Sequence, residues 1–217
     1  MTPRFQKVSL LAHITFSVGW FGAVVPYLAL AITGLASQDA QVIRGAYPLM
    51  ALIGWFVIVP LGFAALLSGL VQSSGTRWGL FWHWWVLVKF VLTIIAVIVL
   101  LRHMQEVSRV AQIAAEATQF GADFRTLQIQ LLVHPAGGLL VLFAAMTLSV
   151  FKPWGLTLYG RNRVSQSDLP TRRSGDTLVR EPVFATNKPR WARIIGIHAV
   201  VLVVLLAIRH ITGLHHP

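Results

Sequence analysis

The 217-residue chain contains no cysteine, which excludes disulfides, thiolate metal sites, covalent haem attachment and a cysteine nucleophile. Histidine survives that exclusion as a ligand for iron. Acidic residues are scarce, with 7 Asp and Glu against 18 Lys and Arg. Charged residues make up only 12% of the chain and hydrophobic residues 56%, a composition far from a soluble domain and close to a polytopic membrane protein.

The formal charge of +11 raises the question of a nucleic-acid partner. Its distribution argues against one. Half of the 18 basic residues fall between Lys152 and Arg193, in one segment separating two apolar runs, as in a cytoplasmic loop under the positive-inside rule. That segment has neither interleaved aromatics nor a recognisable binding module.

What is present is long apolar runs, at about Val8 to Gly34, Ala46 to Val71, Trp82 to His103, Leu127 to Phe151 and Ala192 to Gly213. Each has about 20 or more residues, enough to cross a hydrocarbon core of about 30 Å. The expected fold is therefore all-α, a polytopic bundle of five transmembrane helices. The first run follows Arg4 and Lys7, as the core of a signal peptide would, but such a core has only about 7–15 residues. This one is longer and carries His13, Trp20 and Pro26, so a retained helix is expected. Pro60 in the second run is expected to free the carbonyl four residues earlier and to kink the rod.

From Met104 to Arg125, Val107, Val110, Ala111, Ala114 and Ala117 recur at helical spacing opposite Glu106, Arg109, Gln112 and Glu116. This predicts an amphipathic helix that either continues the third span or lies at the outer interface. Residues 1–151 thus read as a four-helix membrane core with a short outer helix over 104–125. Residues 152–190 read as a flexible basic loop, and 191–217 as a fifth helix with an outer tail. Alternate sides carry twelve and five basic residues, with Lys89 inside a span. That imbalance puts the N-terminus inside and the C-terminus outside. The basic loop would face anionic lipid or a cytoplasmic partner, and the small-residue helix faces allow a homodimer.

The third run holds His83, Lys89 and His103 within an otherwise apolar stretch. Ionisable groups inside a membrane are costly and usually face the bundle interior. At about 1.5 Å per residue, His13, His83 and His198 share an inner layer, and His134 shares an outer layer with His103 and His210. At about 100° per residue, Lys89 lies within about 40° of Trp82, Trp85 and His103, whereas His83 points about 120° away. Lys89 can rest on Trp85 or Trp82 as a cation-π pair, bind an anionic group such as a haem propionate, or deprotonate in a dry setting. Histidines on different helices at one depth suit the two axial ligands of a b-type haem. The competing reading puts His103, His210, His215 and His216 at headgroup level, and gives His13 and His134 an interior hydrogen bond. In the fourth run Pro135 removes an amide next to His134, and Gly137 and Gly138 permit close approach of a helix or a flat ring.

His13, followed after six residues by Trp20, Phe21 and Gly22, resembles the opening helix of the HemJ-type protoporphyrinogen oxidases. Trp85, Leu87, Lys89 and the aliphatic run closing near Arg102 and His103 resemble that family and the CopD-type copper-resistance membrane domains. The pattern that includes His134-Pro135-Ala136-Gly137-Gly138 is similar to a group of bacterial integral membrane proteins without assigned activity. The resemblance covers about the first 150 residues and implies a bacterial inner-membrane protein with haem b, His13 as a ligand and Lys89 as a functional lysine. The chain departs from the HemJ pattern where Pro26 is followed by Tyr27, and at Leu87, where a histidine would precede the lysine. Porphyrinogen oxidation is therefore not carried over with haem binding.

The expected function is a cytochrome-b-like protein that binds haem between helices and carries electrons or oxidises a membrane-accessible substrate. His13 with His83 is the inner ligand pair, and His134 with His103 the outer alternative. The rivals are a transport or metal-handling protein of the copper-resistance type and a structural membrane subunit. The scattered Met1, Met50, Met104 and Met146 argue against a soft-copper path.

Overall fold

The computed structural model describes residues 2–75, 83–117 and 121–151. Its elements are α1 (Pro3–Ala36), α2 (Ala40–Ile53), a π-helical turn (Gly54–Ile58), α3 (Val59–Gly75), α4 (Trp84–Glu116) and α5 (Ala122–Phe151). The fold is all-helical, and α2, the π turn and α3 run on as one rod. Four helices are long and apolar enough to cross a membrane, at 34, 35, 33 and 29 residues. The fifth run, the basic loop and His198, His210, His215 and His216 lie outside the described residues.

Local signals set the ends of these rods. Thr2 Oγ1 accepts from the Phe5 amide, and Pro3 opens α1, where its missing N–H costs nothing. Asp39 Oδ1 accepts from the Gln41 amide at 2.8 Å, capping α2 three residues after α1 ends. The second rod therefore starts six residues before the apolar run itself. At the other end of the contact it makes, Arg44 donates from Nε and Nη2, at 3.1 and 2.7 Å, to the carbonyl of Ala117, the C-cap of α4. A cation at a helix C-terminus also complements the helix dipole.

Pro60 is accommodated in the second rod by a specific means. Its ring would collide with the Phe56 carbonyl in a regular α-helix. The chain widens instead into the π turn, and the Val59 amide donates to the Gly54 carbonyl. Trp55, carried on that turn, donates from Nε1 to Ser108 Oγ on α4 at 2.9 Å.

The segment after Met104 continues α4 without a break to Glu116. Its apolar stripe is buried at Met104, Val107, Val110, Ala111 and Ala114, and α2 packs against α4. The amphipathic stretch is thus part of a helix that extends beyond what a bilayer core needs. Glu106 and Arg109 on its opposite face form an exposed ion pair at 3.3 Å.

Packing is antiparallel and regular. Along α1, successive contacts on the second rod join His13 to Ser68, Trp20 to Gly62 and Gly34 to Tyr47. Helices α4 and α5 pair in the same sense, with Lys89 against Ser149 and His103 against His134. The core holds Trp20, Tyr27, Tyr47, Met50, Met104 and Val110. Large apolar residues such as Leu11, Phe56, Leu140 and Val150 face outward, which suits contact with lipid.

One glycine is required by this packing. A Cβ on Gly34 would meet Tyr47 Cζ and Oη at 2.8 Å, closer than any real Cβ contact. Gly34→Ala is expected to destabilise the folded bundle by about 1–3 kcal/mol through overpacking, measured by unfolding in mixed detergent. Gly45→Ala, whose Cβ would meet nothing within 4 Å, is the control and should not lower the midpoint, since alanine is the better helix former.

Candidate functional site

The five residues singled out in the sequence fall into two polar clusters and one helix end. His13 and Lys89 belong to the first cluster, near the end of the bundle where α1 begins. His103 and His134 belong to the second. His83 is the N-cap of α4, with extended backbone at φ −126° and ψ 126°. Its ring centroid lies 6.4 Å from that of Trp85.

The first cluster lines a cavity of about 540 Å³ between α1, α3, α4 and α5, within the range of about 300–1,000 Å³ usual for small-molecule sites. Most of the lining is apolar and includes Trp20, Leu66, Phe90 and Leu142. Among the described residues the polar exceptions converge from separate helices: His13 and Ser17 from α1, Gln72 and Ser73 from α3, Lys89 and Thr93 from α4, and Ser149 from α5. His83 is not among the lining residues.

The chemistry of His13 follows from its neighbours. Its Nδ1 lies 3.1 Å from both the Ala65 carbonyl and Ser68 Oγ. A carbonyl can only accept, so Nδ1 carries the proton. Ser68 donates its own proton to a carbonyl of α3, 2.6 Å away at Ala64, leaving its oxygen to accept from His13. In the neutral imidazole Nε2 is then the lone pair, the atom that ligates a metal or accepts a proton. The same carbonyl hydrogen bond is the usual support of a metal-bound histidine. Gly69 makes the seat for the ring: a Cβ there would stand 3.0 Å from His13 Cε1.

Lys89 is held from two sides. Its Nζ donates to Ser149 Oγ at 3.1 Å and lies 5.8 Å from the ring centroid of Trp85, one turn earlier on α4. No carboxylate among the described residues lies within ion-pair distance of it. A lysine solvated by one hydroxyl and one aromatic face is a site for an anionic group.

The second cluster is a stack. His103 is only 5% exposed, and its Nε2 lies 3.2 Å from the hydroxyl of Tyr27, which is 2% exposed. The His103 and His134 rings lie nearly parallel, at 20° with centroids 4.7 Å apart. His134 donates from Nδ1 to the Gln130 carbonyl one turn back, at 2.6 Å. Two axial ligands of one iron aim nitrogens at each other across the macrocycle. Rings stacked face to face at this spacing leave no room for a macrocycle between them. Gly137 and Gly138 have no atom within 4 Å of where a Cβ would stand, so the close approach expected there is not made among the described residues. Nor does any group of three or more His, Asp or Glu suited to a metal ion occur among them.

Sequence reading missed Ser68, Gln72, Ser149 and Tyr27. Tyr27 carried a signal, since His13, Trp20, Tyr27 and Gly34 recur every seven residues on one face of α1. The others are ordinary polar residues in apolar helices, and only the neighbouring helix gives them meaning.

Tyr27→Phe removes the hydroxyl that meets His103 while keeping the ring. It is expected to cost about 1–3 kcal/mol, because a buried imidazole nitrogen loses its partner. Unfolding of the detergent-solubilised protein checks this, and an unchanged midpoint would mean that the contact carries no weight.

No family model matches the chain, and neither a curated protein nor a solved structure does, so its function is to be read from the geometry of the first cluster.

Proposed function

We propose that this is an integral membrane protein that binds haem b non-covalently in the cavity between α1, α3, α4 and α5 and serves in electron transfer or membrane oxidation. One observation carries the reading: His13, with its proton on Nδ1, lines a largely apolar cavity together with Lys89, which has no carboxylate partner among the described residues. An apolar macrocycle with acidic substituents complements that combination. His13 would hold the iron and Lys89 an acidic substituent, while Gly69 and Ser68 keep the imidazole in place. Haem, when bound, supplies one-electron chemistry, and the chain tunes it through ligand basicity and dielectric. Among the described residues His13 is the one candidate imidazole that lines the cavity, so the ligand set they offer is one histidine rather than the pair with His83.

In this reading the protein sits in a bacterial inner membrane with five spans, the N-terminus inside and the C-terminus outside. The 152–190 loop faces anionic lipid or a cytoplasmic partner. The support is the distribution of basic residues.

The test is the visible spectrum of the detergent-purified protein, oxidised and then reduced. Protein from haem-replete cells is expected to show a b-type spectrum that His13→Ala abolishes and Lys89→Met weakens in occupancy. A colourless wild-type preparation, or a full spectrum in His13→Ala, would sink the proposal.

A further inference from the structure

We infer that the cavity opens sideways into the bilayer through an apolar slot between α1 and α5, and that haem b enters it from the lipid rather than from water. The inference rests on the haem reading above and adds the route by which the ligand arrives.

The starting observation is which lining residues also reach the surface. Leu10, Ile14 and Val18 of α1 line the cavity and are 45%, 49% and 50% exposed. Met146 and Val150 of α5 line it too, at 38% and 75%. Among the described residues, the lining contributed by α3 and α4 is buried or half-buried throughout. A side chain that lines a cavity and is itself exposed stands at the mouth, and all five belong to two helices. Residues four apart share one face of a helix, so each set forms a ridge along one edge of a slot. At about 1.5 Å per residue the α1 ridge is about 12 Å long.

Chemistry then decides what lies outside the slot. The five rim side chains are hydrocarbon or thioether. Such a rim is costly against water and costs nothing against lipid tails, and both helices are long and apolar enough to cross a bilayer. Depth fits the same route. Lys89 reaches Ser149 on α5, which stands two residues before the end of that helix at Phe151 and three before Lys152, the first cation of the basic segment. At about 1.5 Å per residue, Ser149 is about 4.5 Å from that polar boundary. An amphiphile dissolved in that leaflet keeps its acid groups at the headgroups and its apolar body among the tails. Sideways movement through the slot brings the acid to Lys89 without turning the molecule over. His13 comes from the same stretch of α1 as the ridge, so the iron has a short path to it.

The test uses the full-length apoprotein in phosphatidylcholine vesicles, with haem b loading followed by absorbance and release followed by transfer to excess apomyoglobin. Ile14→Trp and Met146→Trp, which fill the slot, are expected to slow loading and release alike by about tenfold, a modest rise in one barrier. Because both directions use one opening, affinity and spectrum should stay as in wild type. Val150→Ala, which widens the slot, should speed both. Leu11→Trp and Leu140→Trp add bulk at positions 66% and 63% exposed but outside the lining, and should match wild type. The chain has no native cysteine, so Met146→Cys carries a single bimane label, which doxyl-phosphatidylcholine should quench and aqueous iodide should not. Quenching by iodide alone overturns the inference. Wild-type rates in Ile14→Trp, Met146→Trp and Val150→Ala overturn it while leaving the haem reading intact. A changed affinity or spectrum at unchanged rates also overturns it, because those side chains then hold the ligand instead of admitting it. Wild-type protein that binds no haem overturns both.

Discussion

In a bilayer a helix gains nothing by hiding leucine from lipid, so helices associate through close packing and through polar groups that find partners. Both terms run along one face of α1. His13, Trp20, Tyr27 and Gly34 follow at intervals of seven, and each meets a different part of the bundle: Ser68 and Ala65, Gly62, His103, and Tyr47. Large groups on α1 meet small ones opposite, as Trp20 does Gly62, and the order reverses where Gly34 lies beneath Tyr47. The arrangement of the remaining helices follows from this seam. Helix α3 is fixed by the His13 end, α2 by the Gly34 end, and α4 and α5 by His103 at Tyr27 and by Gln128, which donates to the Gly34 carbonyl at 2.9 Å.

The seam separates two kinds of polar site. At Tyr27, His103 and His134 the rings pack together, with the Tyr27 hydroxyl at His103 Nε2 and His134 donating to the Gln130 carbonyl. Such a cluster specifies how three helices meet. At His13 and Lys89 they line a cavity instead, an imidazole and a cation brought from different helices to one wall. Polar groups inside a membrane that do not satisfy each other are expensive, and a ligand that meets both relieves the expense. The proposed function uses the second arrangement, and the first holds three helices together.

Much of this was legible in the chain itself. The apolar runs mark the four helices, and the polar interruptions at His13, Lys89, His103 and His134 mark where the interior departs from hydrocarbon. The angle between Lys89 and His103 was also readable, because both lie on one regular helix and both meet α5. His83 was not readable in the same way. Helical periodicity assumes helical backbone, and His83 is extended at the cap of α4, so its computed direction had no meaning. The start of the second rod was missed because Asp39 caps a helix whose first turn is polar.

Composition and periodicity alone determined the class of the protein: helices long enough to span a bilayer, histidines placed along them, and no thiol chemistry. These are properties of single helices, set by residue type and by the fixed rise and turn of the backbone. Only the tertiary structure decided that His13 shares a cavity with Lys89, that His103 is committed to Tyr27 and His134, and that Gln72 belongs to the first group. Those pairings join residues on separate helices, Tyr27 and His103 being 76 positions apart, and the contacts depend on which side chain fits beneath which. That complementarity exists between rods, and no periodicity within one of them encodes it.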